Sequence, residues 1–103
     1  MKKLIFKLHY AGKILTGEKI TTIRLSTNLK EDDVVEVYAG HVRIGKAKIK
    51  KVYRKKLSEL TEEEIKADGF NSREDLLKSL AKIYGNKVIS SNPQVYVIEF
   101  QLV

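Results

Sequence analysis

Apolar and polar positions alternate from the start of the chain. Leu4, Phe6 and Leu8 fall on one side of an extended segment and Ile5 on the other, which predicts a strand over 4–8. Tyr10 to Thr16 predicts a short helical turn closed by Gly17, since a left-handed C-cap costs glycine no Cβ clash. Ile20 to Leu25 is rich in β-branched residues and predicts a second strand. Ser26 to Asp33 is polar and predicts a loop. Val34 to Tyr38 predicts a third strand, with Ala39-Gly40 as the turn into a fourth.

The fourth strand is long. From Val42 to Lys56 the apolar residues Ile44, Ala47, Ile49 and Val52 are separated mostly by basic ones, and the alternation slips at Lys51-Val52. A slip of that kind predicts a β-bulge, which bends a long strand and places the basic residues on its outer face. Two helices follow. Thr61 and Glu64 form a capping-box pattern with Gly69 as terminator; Ser72 caps the next helix, with apolar Leu76, Leu77, Leu80, Ile83 and Tyr84 before Gly85. Gln94 to Val103 alternates cleanly, with Val95, Val97, Glu99 and Gln101 on one face and Tyr96, Ile98, Phe100 and Leu102 on the other. About five or six strands with two to three short helices predict an α+β class, a mainly antiparallel sheet and a tendency to close into a small barrel.

At 103 residues the chain is expected to form one domain, 1–103. Cysteine is absent, which excludes disulfides, a thiolate nucleophile and cysteine-based metal sites. His9 and His41 alone do not close a structural zinc site, so neither metal nor cofactor is expected. No apolar run approaches a bilayer span, and Lys7 and His9 interrupt the opening apolar stretch, so a leader and a membrane are not expected and the cytoplasm is.

Charge sharpens the picture. The net charge is +7, and residues 46–56 hold Lys46, Lys48, Lys50, Lys51, Arg54, Lys55 and Lys56 with no acid. Acids concentrate afterwards, at Glu59, Glu62, Glu63, Glu64, Asp68, Glu74 and Asp75. Abundant Lys and Glu also serve thermal stability, but that accounts for the total better than for the segregation. The segregation predicts a phosphate-binding face at Lys46, Lys48, Lys50 and Arg54, with Tyr53 as a candidate for stacking on a base. An acidic protein partner for the same strand is a weaker reading.

The segment Gly17-x-Lys19-x-x-Thr22-x-Arg24 resembles the G-x-K-x-x-T-x-R signature of the ASCH domain family. Leu4-x-Phe6 with Ile14-Leu15-Thr16-Gly17 is similar to that family's opening, Asp68-Gly69-Phe70-Asn71-Ser72 to its acidic-Gly-Phe motif, and Tyr96 to Phe100 to its last strand. The resemblance implies a small PUA-like β-barrel with a polar cleft. It also implies a role in binding RNA, a nucleoside or a nucleotide through Lys19, Thr22 and Arg24. Some ASCH proteins resemble small amidohydrolases that act on acetylated cytidine. For such an enzyme the resemblance implies Thr22 as nucleophile, Lys19 as base and Asp68 as the acid, where the family pattern usually carries glutamate.

The residues set conditions on that chemistry. A threonine hydroxyl attacks only when a neighbouring base takes its proton. Lysine is such a base only where burial or nearby cations lower its pKa. Residues three apart in a strand point to opposite faces, so Lys19 meets Thr22 only from a turn after Gly17, whereas Thr22 and Arg24 share a face. Simpler roles stand beside these: Gly17 as a cap, Thr22 as a strand residue, Lys19 and Arg24 as surface charges or partners of Asp68 and Glu99, and Asp68 as a helix-capping residue.

Overall fold

The computed structural model describes residues 1–103. Its strands are β1 (Lys3–Phe6), β2 (Thr21–Arg24), β3 (Val34–Ala39), β4 (Val42–Lys56) and β5 (Gln94–Leu102). Its helices are α1 (Ala11–Thr16), α2 (Glu62–Ala67), α3 (Arg73–Tyr84) and α4 (Asn86–Ser90). The strands make one sheet in the order β1-β3-β4-β5-β2, curled into a half-barrel. All neighbours are antiparallel except β1 and β3. The expected α+β architecture is present, with four α-helices rather than two or three and with β1 and β2 left as unpaired edges. No helix is long and apolar enough to cross a membrane.

The length of β4 organises the sheet, because one strand pairs with β3 along its first half and with β5 along most of its length. Ile49 faces Phe100 and Lys51 faces Glu99, so Lys50 is the extra residue of a bulge. The slip lies one residue earlier than the sequence pattern places it, and it exchanges the two faces of the strand. Before it, Ala47 and Ile49 share the face of Leu102 and Phe100; after it, Val52 and Arg54 share the face of Ile98 and Tyr96. Lys48, Lys51, Tyr53 and Lys55 lie on the other side. The expected outer basic face therefore keeps Lys46 and Lys48 but not Arg54.

Both faces of the sheet are covered, each by its own core. The inner core gathers Leu4, Phe6, Ile14, Leu29, Val35, Val37, Ala47, Ile49, Ile98 and Phe100. The second gathers Ile23, Val95 and Val97 beneath Leu57, Leu60, Ile65, Leu76, Leu80 and Ile89 from the helical side. Hence Val97 and Ile98, adjacent and on opposite faces, are both fully buried. Burial of each such aliphatic side chain stabilises the fold by roughly 1.5–3 kcal/mol.

Local signals behave as their chemistry requires. Thr61 and Glu64 form the reciprocal capping box of α2, and Ser72 accepts from the Asp75 N–H to start α3. Gly17 takes φ 82° and ends α1. Two apolar residues depart from expectation. Leu8 is 60% exposed, because β1 stops at Phe6 and a single 3-10 turn carries Leu8 outward. Leu29, in the loop expected to be polar throughout, is buried and plugs the inner core.

Candidate functional site

Only side chains, and no backbone ladder, cross between β1 and β2, and the cleft lies at this seam. A cavity of about 210 Å³ is lined by Phe6 of β1, Tyr10, the turn residue Lys19, Thr22 and Arg24 of β2, and Asp68 and Phe70 after α2. Ser79, Leu80, Ile83 and Tyr84 of α3 form the opposite wall. Lys19, Thr22, Arg24 and Asp68, distant in sequence, therefore converge on one concave pocket.

Lys19 lies in the turn between α1 and β2, as its distance from Thr22 in sequence demands. The left-handed Gly17 reverses the chain, the Lys19 N–H donates to Lys13 O at 3.0 Å, and the Ile20 N–H donates to Ala67 O at 2.8 Å. These bonds pin the turn between the two helix ends and send the side chain inward, where Lys19 is only 3% exposed. Asp68 is the C-cap residue of α2, but its backbone alone serves the cap, leaving the carboxylate free. Gly69 follows at φ 91° with Lys19 Cβ against its open side, so the chain turns away directly behind the lysine.

The ammonium of Lys19 donates to Asp68 Oδ1, to Asp68 O at 2.8 Å and to Thr21 O at 3.0 Å. It also sits 5.0 Å from the Tyr10 ring centre and 5.4 Å from that of Phe6. An ammonium has three donors, and these three acceptors use them all. Burial is the main influence on both partners. It lowers the Lys19 pKa against the pull of Asp68, and it raises that of Asp68 to about 6 against the pull of Lys19. Desolvation outweighs attraction in each case, as is common for enclosed ion pairs.

Arg24 spans the seam. Its Nη2 donates to Ile5 O at 2.8 Å, its Nε donates to Thr22 Oγ1 at 3.3 Å, and its guanidinium lies 5.5 Å from the Phe6 ring centre. One side chain on β2 thereby holds β1 where strand pairing does not. Thr22 is buried and meets Arg24 rather than Lys19; the lysine's bonds go elsewhere.

The basic strand is less uniform than its sequence. Lys46 stands opposite Glu36, and Lys51 stands opposite Glu99. Lys48 pairs with Asp32 at 3.4 Å and Lys55 with Glu64 at 2.7 Å. Lys50 projects from the bulge and is exposed. Arg54 lies on the inner face against Tyr96, at 5.9 Å. Lys46, Lys48, Lys50 and Arg54 are thus not one patch. Tyr53 donates its hydroxyl to Glu64, which ties β4 to α2; partial burial, then Glu64, raises its pKa.

Sequence reasoning missed the α3 wall. The apolar periodicity of α3 places Ile83 in its stripe, yet Ile83 is 55% exposed and lines the cleft mouth. Its position at the edge of the stripe beyond Leu76 and Leu80 was the one available signal. Tyr10 and Phe70, which meet edge-to-face at 6.3 Å, were likewise legible only as aromatics near the motif.

No family model matches this sequence, and no curated protein does. Solved structures do match in shape. An ASCH domain from Lactobacillus crispatus superposes with TM-score 0.74 at 13% identity, over 89% of this chain and 69% of its own. A protein from Enterococcus faecalis gives 0.78 at 10% identity, over 100% of this chain and 81% of its own. A tyrosine-to-phenylalanine variant of an ASCH protein from Zymomonas mobilis gives 0.67 at 15% identity, over 98% of this chain and 70% of its own. The chain folds as an ASCH-like domain.

Proposed function

We propose that the cleft binds a nucleotide or the end of a single-stranded RNA. The observation that carries this reading is Arg24. Its guanidinium is held near the Phe6 ring by two hydrogen bonds, Nε to Thr22 and Nη2 to Ile5 O, within a cleft walled by aromatic rings. A guanidinium has five donors, so a fixed fork remains for a phosphate or a base edge. Lys19 and Asp68 neutralise each other and shape the floor; Arg24 keeps the net charge of the pocket positive. The apolar walls, including Ile83 and Tyr84, suit a planar ring.

Titration with a labelled single-stranded RNA at low and moderate salt tests the reading. Affinity falls steeply with salt, and Arg24→Ala weakens binding by about tenfold or more while thermal unfolding still shows a folded domain. Affinity that is flat with salt, or unchanged in Arg24→Ala, rejects it.

One observation favours a second reading, the hydrolysis of an amide on a modified nucleoside such as acetylated cytidine. Lys19 and Asp68 touch inside the cleft, and burial moves both pKa values toward neutrality. To take a proton from Thr22, however, Lys19 would first have to lose its own proton and release an acceptor. Acetylated cytidine left intact by the native chain, or cleaved equally well by Thr22→Ala, removes this reading.

A further inference from the structure

Across the inner face of the half-barrel, three side chains stand in one row on three adjacent strands. Arg24 of β2 is the cross-strand partner of Tyr96 on β5, and Tyr96 is in turn the partner of Arg54 on β4. Directly paired residues share a face, so the order is guanidinium, phenol ring, guanidinium. With strands about 4.8 Å apart, the two arginine backbones are about 10 Å apart. Arg54 lies 5.9 Å from the Tyr96 ring centre, is exposed, and takes part in none of the ion pairs of the molecule.

We infer that this row is a second nucleic-acid subsite, which receives the chain of a single-stranded RNA as it continues from the cleft at Arg24 over Tyr96 to Arg54. The inference rests on the reading of the cleft as a nucleotide site. Two features favour single-stranded nucleic acid over an acidic peptide. Cation, aromatic ring and cation in sequence match phosphate, base and phosphate. A ring and a guanidinium plane each offer a stacking surface, which a carboxylate does not use.

The row also accounts for a paradox of the basic strand. The lysines that look most favourable in sequence face outward, where Lys48 and Lys55 are ion-paired with Asp32 and Glu64, and Lys46 and Lys51 stand across the ladder from Glu36 and Glu99. Arg54 has no carboxylate across the ladder, because the bulge at Lys50 turns it to the inner face, where its cross-strand partner is a tyrosine. Arg54 is thus the cation of the basic strand that stands on the side of the cleft.

The test compares a single-stranded RNA octamer with ribonucleoside monophosphates, for the native chain and for Arg54→Ala, Arg54→Lys, Tyr96→Leu, Arg24→Ala and Lys46→Ala/Lys48→Ala. Arg54→Ala is expected to weaken octamer binding by about tenfold and to make its dependence on log salt shallower by about one, with monophosphate affinity unchanged. Arg54→Lys keeps the salt dependence but loses part of the affinity, since charge survives and the planar fork does not. Tyr96→Leu weakens the octamer selectively, and the outer lysine pair changes it by less than about twofold. Loss of monophosphate binding in Arg24→Ala with no octamer effect in Arg54→Ala overturns this inference and leaves the cleft reading standing. A native chain that binds neither probe overturns both. Equal binding of a polyglutamate peptide, with the same loss in Arg54→Ala, makes the row a general acidic-polymer site and also overturns it.

Discussion

Two sets of cations, spelled with the same residue types, live under opposite physical conditions in this domain. Lys19 is enclosed, bonded three times and held against aromatic rings. Lys46 and Lys48 stand on the outer face of β4, hydrated and opposite or beside carboxylates. In the enclosed set, removing one partner leaves a charge with nowhere to go; in the hydrated set water replaces whatever is lost. The comparison teaches that the count of lysines in a segment says little until the face is known.

Breaking the enclosed pair is the sharpest way to test that difference. Asp68→Ala should lower the unfolding free energy in urea by about 3–5 kcal/mol, since Lys19 keeps a buried charge with neither a counter-ion nor an acceptor at that position. Lys19→Met combined with Asp68→Leu should recover most of that loss, because the desolvation cost disappears with the charges. A double variant as unstable as the single one would mean that the pair contributes far more than burial costs it.

Acidity separates the sets next. Asp68 has its pKa raised to about 6 by burial, above the unfolded carboxylate value. The folded state therefore holds the proton more tightly, and this contribution to stability is complete below about pH 4 and lost as pH rises through about 6. The native chain should lose on the order of 3 kcal/mol across that window relative to the Lys19→Met/Asp68→Leu double variant, as read by urea unfolding at each pH. An identical pH dependence in the two proteins would remove Asp68 as the titrating group. The smallest effect belongs outside: Lys46→Ala with Lys48→Ala should shift stability by no more than about 0.5 kcal/mol.

Much of the frame was legible because it is written locally. Gly17 and Gly69 mark chain reversals that only glycine adopts without strain, Thr61 and Glu64 announce the start of α2, and Ser72 the start of α3. The convergence of Lys19, Thr22, Arg24 and Asp68 was expected from the motif and its resemblance, and the turn position of Lys19 from strand geometry alone. What was not legible depends on partners far away in the chain. The side on which Arg54 lies is set by its pairing with Tyr96, the wall formed by Ile83 depends on how α3 lies over β2, and the burial of Leu29 depends on a loop folding over the inner core. The short α4 has no capping side chain to announce it.

The bulge at Lys50 has a consequence best put as a reading frame. A β-strand is read in steps of two, and one inserted residue shifts every later letter to the opposite page. Were Lys50 paired in register with Glu99 instead of looped out, every later residue of β4 would meet a different partner. That register would turn Val52 out of the inner core and bring Lys51, Tyr53 and Lys55 inward, uncoupling the last two from Glu64 and setting Tyr53 in place of Arg54 beside Tyr96. Which amino acids this domain presents to a ligand is thus governed by an extra backbone unit whose own side chain points to solvent.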